Sequence, residues 1–403
     1  MSANTAATQA LSRQTGHFVP QTGVHTAVHF HPTEPGVRLD THDLATKARV
    51  AERLAVFLGY DYAGAWHEGQ GCPLRGSASY LVPSDTIIGL ERARALGIGS
   101  VDDLFGGVVP QPYMATKLIS HGLVSRDARA PEGWNDHFAQ LTKQAVLPGY
   151  SVFAASDALL AGELLLAGGA VRVKHPYGVG GSGQWVVRNR AELQARLAEF
   201  STEDIERHGL VLERNLHKVV THSVGQVQAG RLTISYHGTQ TLTTNHRGRE
   251  VYGGSTLHVV RGAFDDLLSQ NLQPDVRQAI EQAFAYHRAA MACFEGMFAS
   301  RSNYDVAQGF DDSGNFCSGV LEQSWRIGGA SGAEVAALHA LDADPDLPSV
   351  CASTCEVYAD NVALPAGAWL LYEGEDRHVG RISKYVQVMH APANHALAAV
   401  SLA

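Results

Sequence analysis

Two stretches of the chain concentrate residue types that could handle phosphate. The first is Lys174 followed by His175-Pro-Tyr-Gly178-Val-Gly180-Gly181-Ser182-Gly183, a cation leading straight into a glycine-rich loop. A loop with few side chains lets several backbone N–H groups converge on phosphate oxygens, and the lysine beside it supplies positive charge. The second holds Asp305 and Glu322 on either side of the turn Asp311-Asp-Ser-Gly314. A chain reversal there brings both carboxylates to one end of a sheet, where they could hold Mg²⁺ against nucleotide phosphates. Arg301, Asn303, Ser324 and Arg326 surround that pair in sequence.

Other chemistry has to be weighed against this reading. Gly178, Gly180 and Gly183 satisfy GxGxxG, the dinucleotide-binding spacing, but that fingerprint opens a helix, whereas Val186 and Val187 continue a β pattern here. No Lys-Ser/Thr pair follows the glycines, which excludes a P-loop. A plain hairpin turn is the bland alternative for the loop, and solvated strand-edge acids for the pair. His25, His29 and His31 form HxxxHxH without an acid or cysteine at ligand spacing, and Cys351 and Cys355 form a lone CxxxC. Neither specifies a metal. Arg247 or Arg261 could face an anionic group by bidentate contact, against a polar loop as the simpler reading of Asn245 to Ser255.

The elements that must position these residues belong to an ordinary globular chain. Its 403 residues are 45% hydrophobic and 18% charged, enough for two or three packed units. Thirty-one Lys and Arg against 40 Asp and Glu give a net charge of -9, so no global positive field draws nucleic acid or anionic lipid. The apolar run Ala154 to Ala167 is interrupted by Ser156, Asp157 and Glu163, too short and too polar for a membrane span. Met1 to Gly23 is polar without a signal-peptide pattern, and is expected to be a disordered start of a cytoplasmic protein.

Periodicity predicts a helix over His42–Leu58 stopped by Gly59, a strand and turn over Ser79–Ile88, and a short helix over Leu90–Leu96. Beyond a Pro/Gly-punctuated boundary near 125 come a helix at Asp157–Leu166, strands at Ala170–Lys174 and Gln184–Val187, and a helix at Ala191–Phe200. A strand at Gly209–Glu213, a hairpin of Thr221–Gln228 with Arg231–His237, and a long helix over Asp275–Met297 follow. Strands at Tyr304–Gln308 and Gly319–Gln323 carry the two acids, and Ala368–Tyr372 and Val379–Val388 add two more. The fold class is α/β plus α+β, divided into 24–125, 126–214 and 215–403.

In this order the features resemble the ATP-grasp superfamily over about residues 79 to 335. Its first lysine resembles Lys117 in ATKLIS, its second Lys174, and its lid loop Gly178, Gly180, Gly181, Ser182 and Gly183. Its adenine-contacting strand end is similar to Val211-Leu-Glu213-Arg-Asn-Leu216, and its metal-binding acids to Asp305 and Glu322-Gln-Ser324. In the biotin-carboxylase branch an Arg follows that Glu by four residues, as Arg326 does. The runs SRSNYDVAQGFDDSG and GVLEQSWRIGGASGAEVAAL also resemble a bacterial family of unknown function sometimes labelled biotin-carboxylase-like.

The resemblance implies an N-terminal α/β domain, a small lid and a C-terminal mixed-sheet domain that bind ATP and Mg²⁺. It further implies a ligase that activates a small-molecule carboxylate as an acyl-phosphate for an amine or similar nucleophile, with Arg301 or Arg326 on the reacting group. A homodimer is compatible with it. Three departures stand out: Ser324 replaces the usual Asn, Lys218 to Thr221 lacks the ribose-binding acid, and the wide spacing from Asp305 to Glu322 makes Asn303 a competing ligand. An ATP-binding protein without efficient ligase activity is the alternative, and an NAD-dependent oxidoreductase the more distant one.

Overall fold

Helix His42–Leu58 shows how closely local chemistry dictates the elements. Thr41 accepts a hydrogen bond from the Leu44 N–H at 3.4 Å, and Gly59 closes the helix at φ 71°, a left-handed conformation glycine adopts without steric cost. In the computed structural model, which describes residues 25–34, 41–68, 78–178 and 183–389, this helix buries Val50, Ala51, Leu54 and Ala55. It packs beside a parallel sheet in which His25–His31 lies between Asp61–Ala65 and Ala78–Pro83. The N-terminal segment called disordered from sequence lies outside the described residues.

A small antiparallel sheet follows, in the order Gly149–Val152, Leu210–Arg214, Val171–Lys174, Gln184–Val187. Helices Ala155–Leu166 and Arg190–Leu197 cover one face, where Val171, Val173, Leu210 and Leu212 are buried. Gly162 allows the two helices to meet, since a Cβ there would fall 2.3 Å from a Leu193 methyl. Side chains alternate along a strand, so Lys174, Val211 and Glu213 point to the opposite face. Gln184–Val187 is a strand after the glycine loop, so the helix that the dinucleotide reading needs is missing there.

Among the described residues, eight strands form one large sheet. Its order is Phe316–Ser324, Arg301–Phe310, His217–Ala229, Leu232–Thr244, Glu250–Arg261, Ser349–Val357, Gly380–Met389, Trp369–Asp376. Helices His42–Leu58 and Ser331–Ala343 cover one face, and Phe264–Leu268 with Pro274–Cys293 the other. No helix among the described residues is long and apolar enough to cross a membrane.

The structure corrects one reading outright. Tyr252 to Ser255 lie within a 12-residue strand rather than a polar loop, and only Asn245–Arg249 forms the turn. The glycines mislead because they serve close strand packing: Gly254 has φ 142°, and a Cβ there would sit 1.9 Å from the Thr354 carbonyl oxygen. Strand Ser349–Val357, which carries both Cys351 and Cys355, and helix Ser331–Ala343 are further elements without a sequence-based counterpart.

Candidate active site

Lys117 begins a short 3₁₀ turn, Lys117–Ser120, capped by the Thr116 hydroxyl, which accepts from the Leu118 N–H at 3.3 Å. Its side chain is 3% exposed, and Nζ lies 2.6 Å from Glu322 Oε2 and 2.8 Å from the Gly178 carbonyl oxygen. One cation thus touches both the acid on the large sheet and the start of the glycine loop. Gln323 fixes this arrangement by donating from Nε2 to the carbonyls of Thr116 at 2.6 Å and Met114 at 3.0 Å.

Lys174 lies 2.5 Å from Glu213 Oε1, and the other carboxylate oxygen lies 3.3 Å from His121 Nε2. All three side chains are at most 3% exposed. Burial works against the Glu213 charge, but Lys174 and then His121 hold its carboxyl at about 2. Leu216, just beyond this strand, packs with Leu147 and Ala307. Gly178 and Gly183 frame the loop through His175, whose N–H donates to the Gly183 carbonyl at 2.8 Å and whose carbonyl accepts from the Gly178 N–H at 3.1 Å. Gly180, Gly181 and Ser182 lie outside the described residues.

Asp305 and Glu322 are direct register partners on adjacent antiparallel strands. Asp305 Oδ1 accepts from Asn303 Nδ2 at 3.0 Å and from Ser223 Oγ at 3.3 Å, and Ser223 Oγ accepts from Gln240 Nε2 at 3.1 Å. Burial, and then the Glu322 charge, raise the Asp305 carboxyl to about 6 against these hydrogen bonds. Among the described residues no cation pairs with Asp305, and no three His, Cys, Asp or Glu converge on one point. Two carboxylates suffice for Mg²⁺ when phosphate oxygens and water complete the shell, and the unrelieved charge at Asp305 fits such an ion.

The flanking residues divide into two kinds. Arg301 is 1% exposed and is bound on every side by its own chain. Nε and Nη2 grip Glu334, with the shortest contact 2.7 Å, while Nη1 donates to Ser324 Oγ at 3.2 Å and to the Arg326 carbonyl at 2.6 Å. Arg301, expected from sequence on a reacting group, is here engaged by Glu334, Ser324 and the chain that follows. Glu334, which also accepts from the Tyr236 hydroxyl at 2.6 Å, escapes notice in sequence except as a lone acid in an apolar helix. Asn303 is committed too, since its Oδ1 lies 3.0 Å from the Tyr236 hydroxyl, whose proton it shares with Glu334, while Nδ2 holds Asp305. Arg326 has a 27% exposed side chain with Nε 3.7 Å from Asp85, which leaves it able to reach a ligand.

The remaining candidates are occupied elsewhere. Arg261 donates to the Asp344 carbonyl at 2.9 Å at the end of helix Ser331–Ala343, and Arg247 sits on the exposed Asn245–Arg249 turn. His31 contacts the Trp66 carbonyl at 3.2 Å and His25 lies 3.3 Å from Asp103, so these histidines serve separate partners.

A four-stranded antiparallel sheet and a larger eight-stranded one, bridged where Lys117 meets Glu322 and Gly178, make up the ATP-grasp fold, which solved structures share. The biotin carboxylase domain of Hydrogenobacter thermophilus 2-oxoglutarate carboxylase, in complex with MgADP, ADP and bicarbonate, matches with TM-score 0.54 at 13% identity over 91% of this chain and 86% of that one. Phosphoribosylamine–glycine ligase from Thermotoga maritima gives 0.51 at 13% identity over 91% and 93%. Biotin carboxylase from Campylobacter jejuni, as a β-γ-ATP complex, gives 0.50 at 13% identity over 91% and 87%. Within this fold the chain belongs to the family described as "Protein of unknown function (DUF3182)", whose model matches residues 31–386. No curated protein matches the sequence.

Proposed function

We propose that the protein is an ATP-dependent ligase that activates a carboxylate as an acyl-phosphate for attack by an amine or similar nucleophile. The observation that carries this reading is the disposition of charge: Lys117 touches both the start of the glycine loop and Glu322, Lys174 leads into that loop, and Asp305 is the register partner of Glu322. We read residues 126–214 as the lid over the nucleotide. Lys117 and Lys174 neutralise phosphate charge, and the N–H groups around Gly178 and Gly183 donate to phosphate oxygens. The Glu213 strand end and Leu216 border the adenine, with Leu216 offering an apolar wall. Asp305 and Glu322 would hold Mg²⁺, which when bound neutralises charge on the phosphates. Arg326 orients the carboxylate substrate by bidentate contact.

A second reading is an ATP-binding protein with little turnover. It is favoured by Ser324, whose hydroxyl already accepts from Arg301. Calorimetry with Mg-ATP, followed by an ADP-release assay over panels of carboxylic acids and amines, separates the two. Binding with acceptor-dependent ADP release supports the ligase, binding without release supports the second reading, and failure of the folded protein to bind Mg-ATP overturns both.

A further inference from the structure

One register row crosses the large sheet and ends in side chains that ligate soft metal ions. Tyr304, Val224, His237, His258, Cys351 and Met389 are successive cross-strand partners, so their side chains share one face. Tyr304 and Val224 are buried under helix Pro274–Cys293, whereas His237, His258 and Cys351 are half-buried and Met389 is 40% exposed. Asp305 and Ser223 sit one position along their strands and face the other side, which separates this row from the acid pair.

Cys351 Sγ lies 3.7 Å from His258 Nδ1, and the ring centres of His237 and His258 are 5.3 Å apart. An ion with bonds of about 2.3 Å to sulfur and about 2.0 Å to nitrogen, at angles between tetrahedral and trigonal, holds those two atoms about 3.5 to 3.7 Å apart. By the same geometry, two imidazoles on that ion have ring centres about 5 to 5.5 Å apart. The spacing of all three side chains is in place, although their donor atoms do not meet at one point as they stand. No hydrogen bond among the described residues ties His237, so turning its ring is what convergence requires. His222, on the same face, is taken by Gln308 at 3.1 Å. Cys355 lies four positions along the strand from Cys351, about 13 Å away, so the CxxxC spacing plays no part. Burial lowers both histidines, His237 to about 4, and raises Cys351, so the set rests as two neutral imidazoles and a neutral thiol.

We propose that His237, His258 and Cys351 bind one Cu(I) ion, with the Met389 thioether as a further ligand. Imidazole, thiolate and thioether are donors that copper takes, and the register row offers no carboxylate to favour a hard cation. As the ion enters, the Cys351 S–H bond breaks, its proton passes to solvent and a sulfur–copper bond forms, with no change of oxidation state. One monovalent ion in exchange for one proton leaves the site uncharged, whereas Zn²⁺ would leave a half-buried positive charge without a partner. The inference stands apart from the ligase reading, because the two sites lie on opposite faces of the sheet.

The test is anaerobic titration of the full, reduced chain with Cu(I) against a chromophoric Cu(I) chelator, followed by X-ray absorption at the copper edge. One Cu(I) per chain is expected, with two nitrogen ligands and one or two sulfur ligands. Cys351→Ser, His258→Leu and His237→Leu should each lower the affinity at least tenfold, and Cys355→Ser should leave it unchanged. No Cu(I) held by the parent chain, a shell of sulfur alone, or parental affinity in Cys351→Ser or in both histidine variants overturns the proposal. An equal loss in Cys355→Ser, or a chain that holds Zn²⁺ and rejects Cu(I), overturns it as well. The absorption measurement uses the parent chain and so does not depend on any variant folding. Mg-ATP binding by the same chain reads the ligase proposal separately.

Discussion

Asp305 and Glu322 face each other as register partners, yet the ammonium of Lys117 sits 2.6 Å from Glu322 and Asp305 has only neutral donors around it. The pair is therefore electrostatically lopsided, and its unrelieved half can be read by titration.

With its folded pKa near 6, above the usual aspartate value of 3.8, Asp305 binds a proton more tightly in the folded chain. Its contribution to stability is full below the unfolded value and is lost as pH rises through about 6. Asp305→Asn removes this dependence. The melting temperature of the variant relative to the parent is expected to rise between pH 4.5 and 7 in metal-free buffer, roughly in step with that titration. A constant difference over that window would show that Asp305 is not strained.

The Lys174–Glu213 pair has the opposite sign. Glu213 is held at about 2, below its usual 4.5, so its stabilisation is present above the unfolded value and is lost as pH falls toward 2. Lys174→Met leaves a buried carboxylate with His121 as its remaining side-chain partner, and is expected to cost on the order of 3 to 5 kcal/mol by urea denaturation. Lys174→Met combined with Glu213→Gln should recover part of that loss, since no charge is then left unpaired.

Arg301 and Arg326 should separate cleanly in experiment. Arg301→Met strands Glu334, which is fully buried, and should destabilise the chain by about 3 to 5 kcal/mol. Arg326→Ala touches a partly exposed side chain and should change stability by no more than about 0.5 kcal/mol while lowering turnover. Equal stability losses in the two would merge the roles drawn apart above.

Gly254→Ala places a methyl group against the Thr354 carbonyl at a backbone angle alanine resists. Destabilisation by more than about 1 kcal/mol is expected, read as a lower melting temperature.

Much of this was legible because the decisive signals are local. Helix His42–Leu58 and strand Gln184–Val187 fall where periodicity puts them, and the turn at Asp311–Gly314 brings Asp305 opposite Glu322 as its spacing implies. What sequence hid depends on distant partners. Glu334 gains meaning only against Arg301, 33 positions away, and His121 only against Glu213, 92 positions away. Proximity to an acid pair in sequence does not tell which way a guanidinium turns, and that of Arg301 turns to Glu334. Strand Glu250–Arg261 was obscured because Gly253 and Gly254 carry the signature of a turn while serving close strand contact.

Gln323 hooks the backbone around Thr116 onto the strand that bears Glu322, while Ser151 of the small sheet donates to the Gly122 carbonyl, so the short stretch that carries Lys117 is stitched to both sheets. Through Lys117, Glu322 on the large sheet and the Gly178 carbonyl at the loop share one ammonium group, and Glu213 on the small sheet meets His121 of the same stretch.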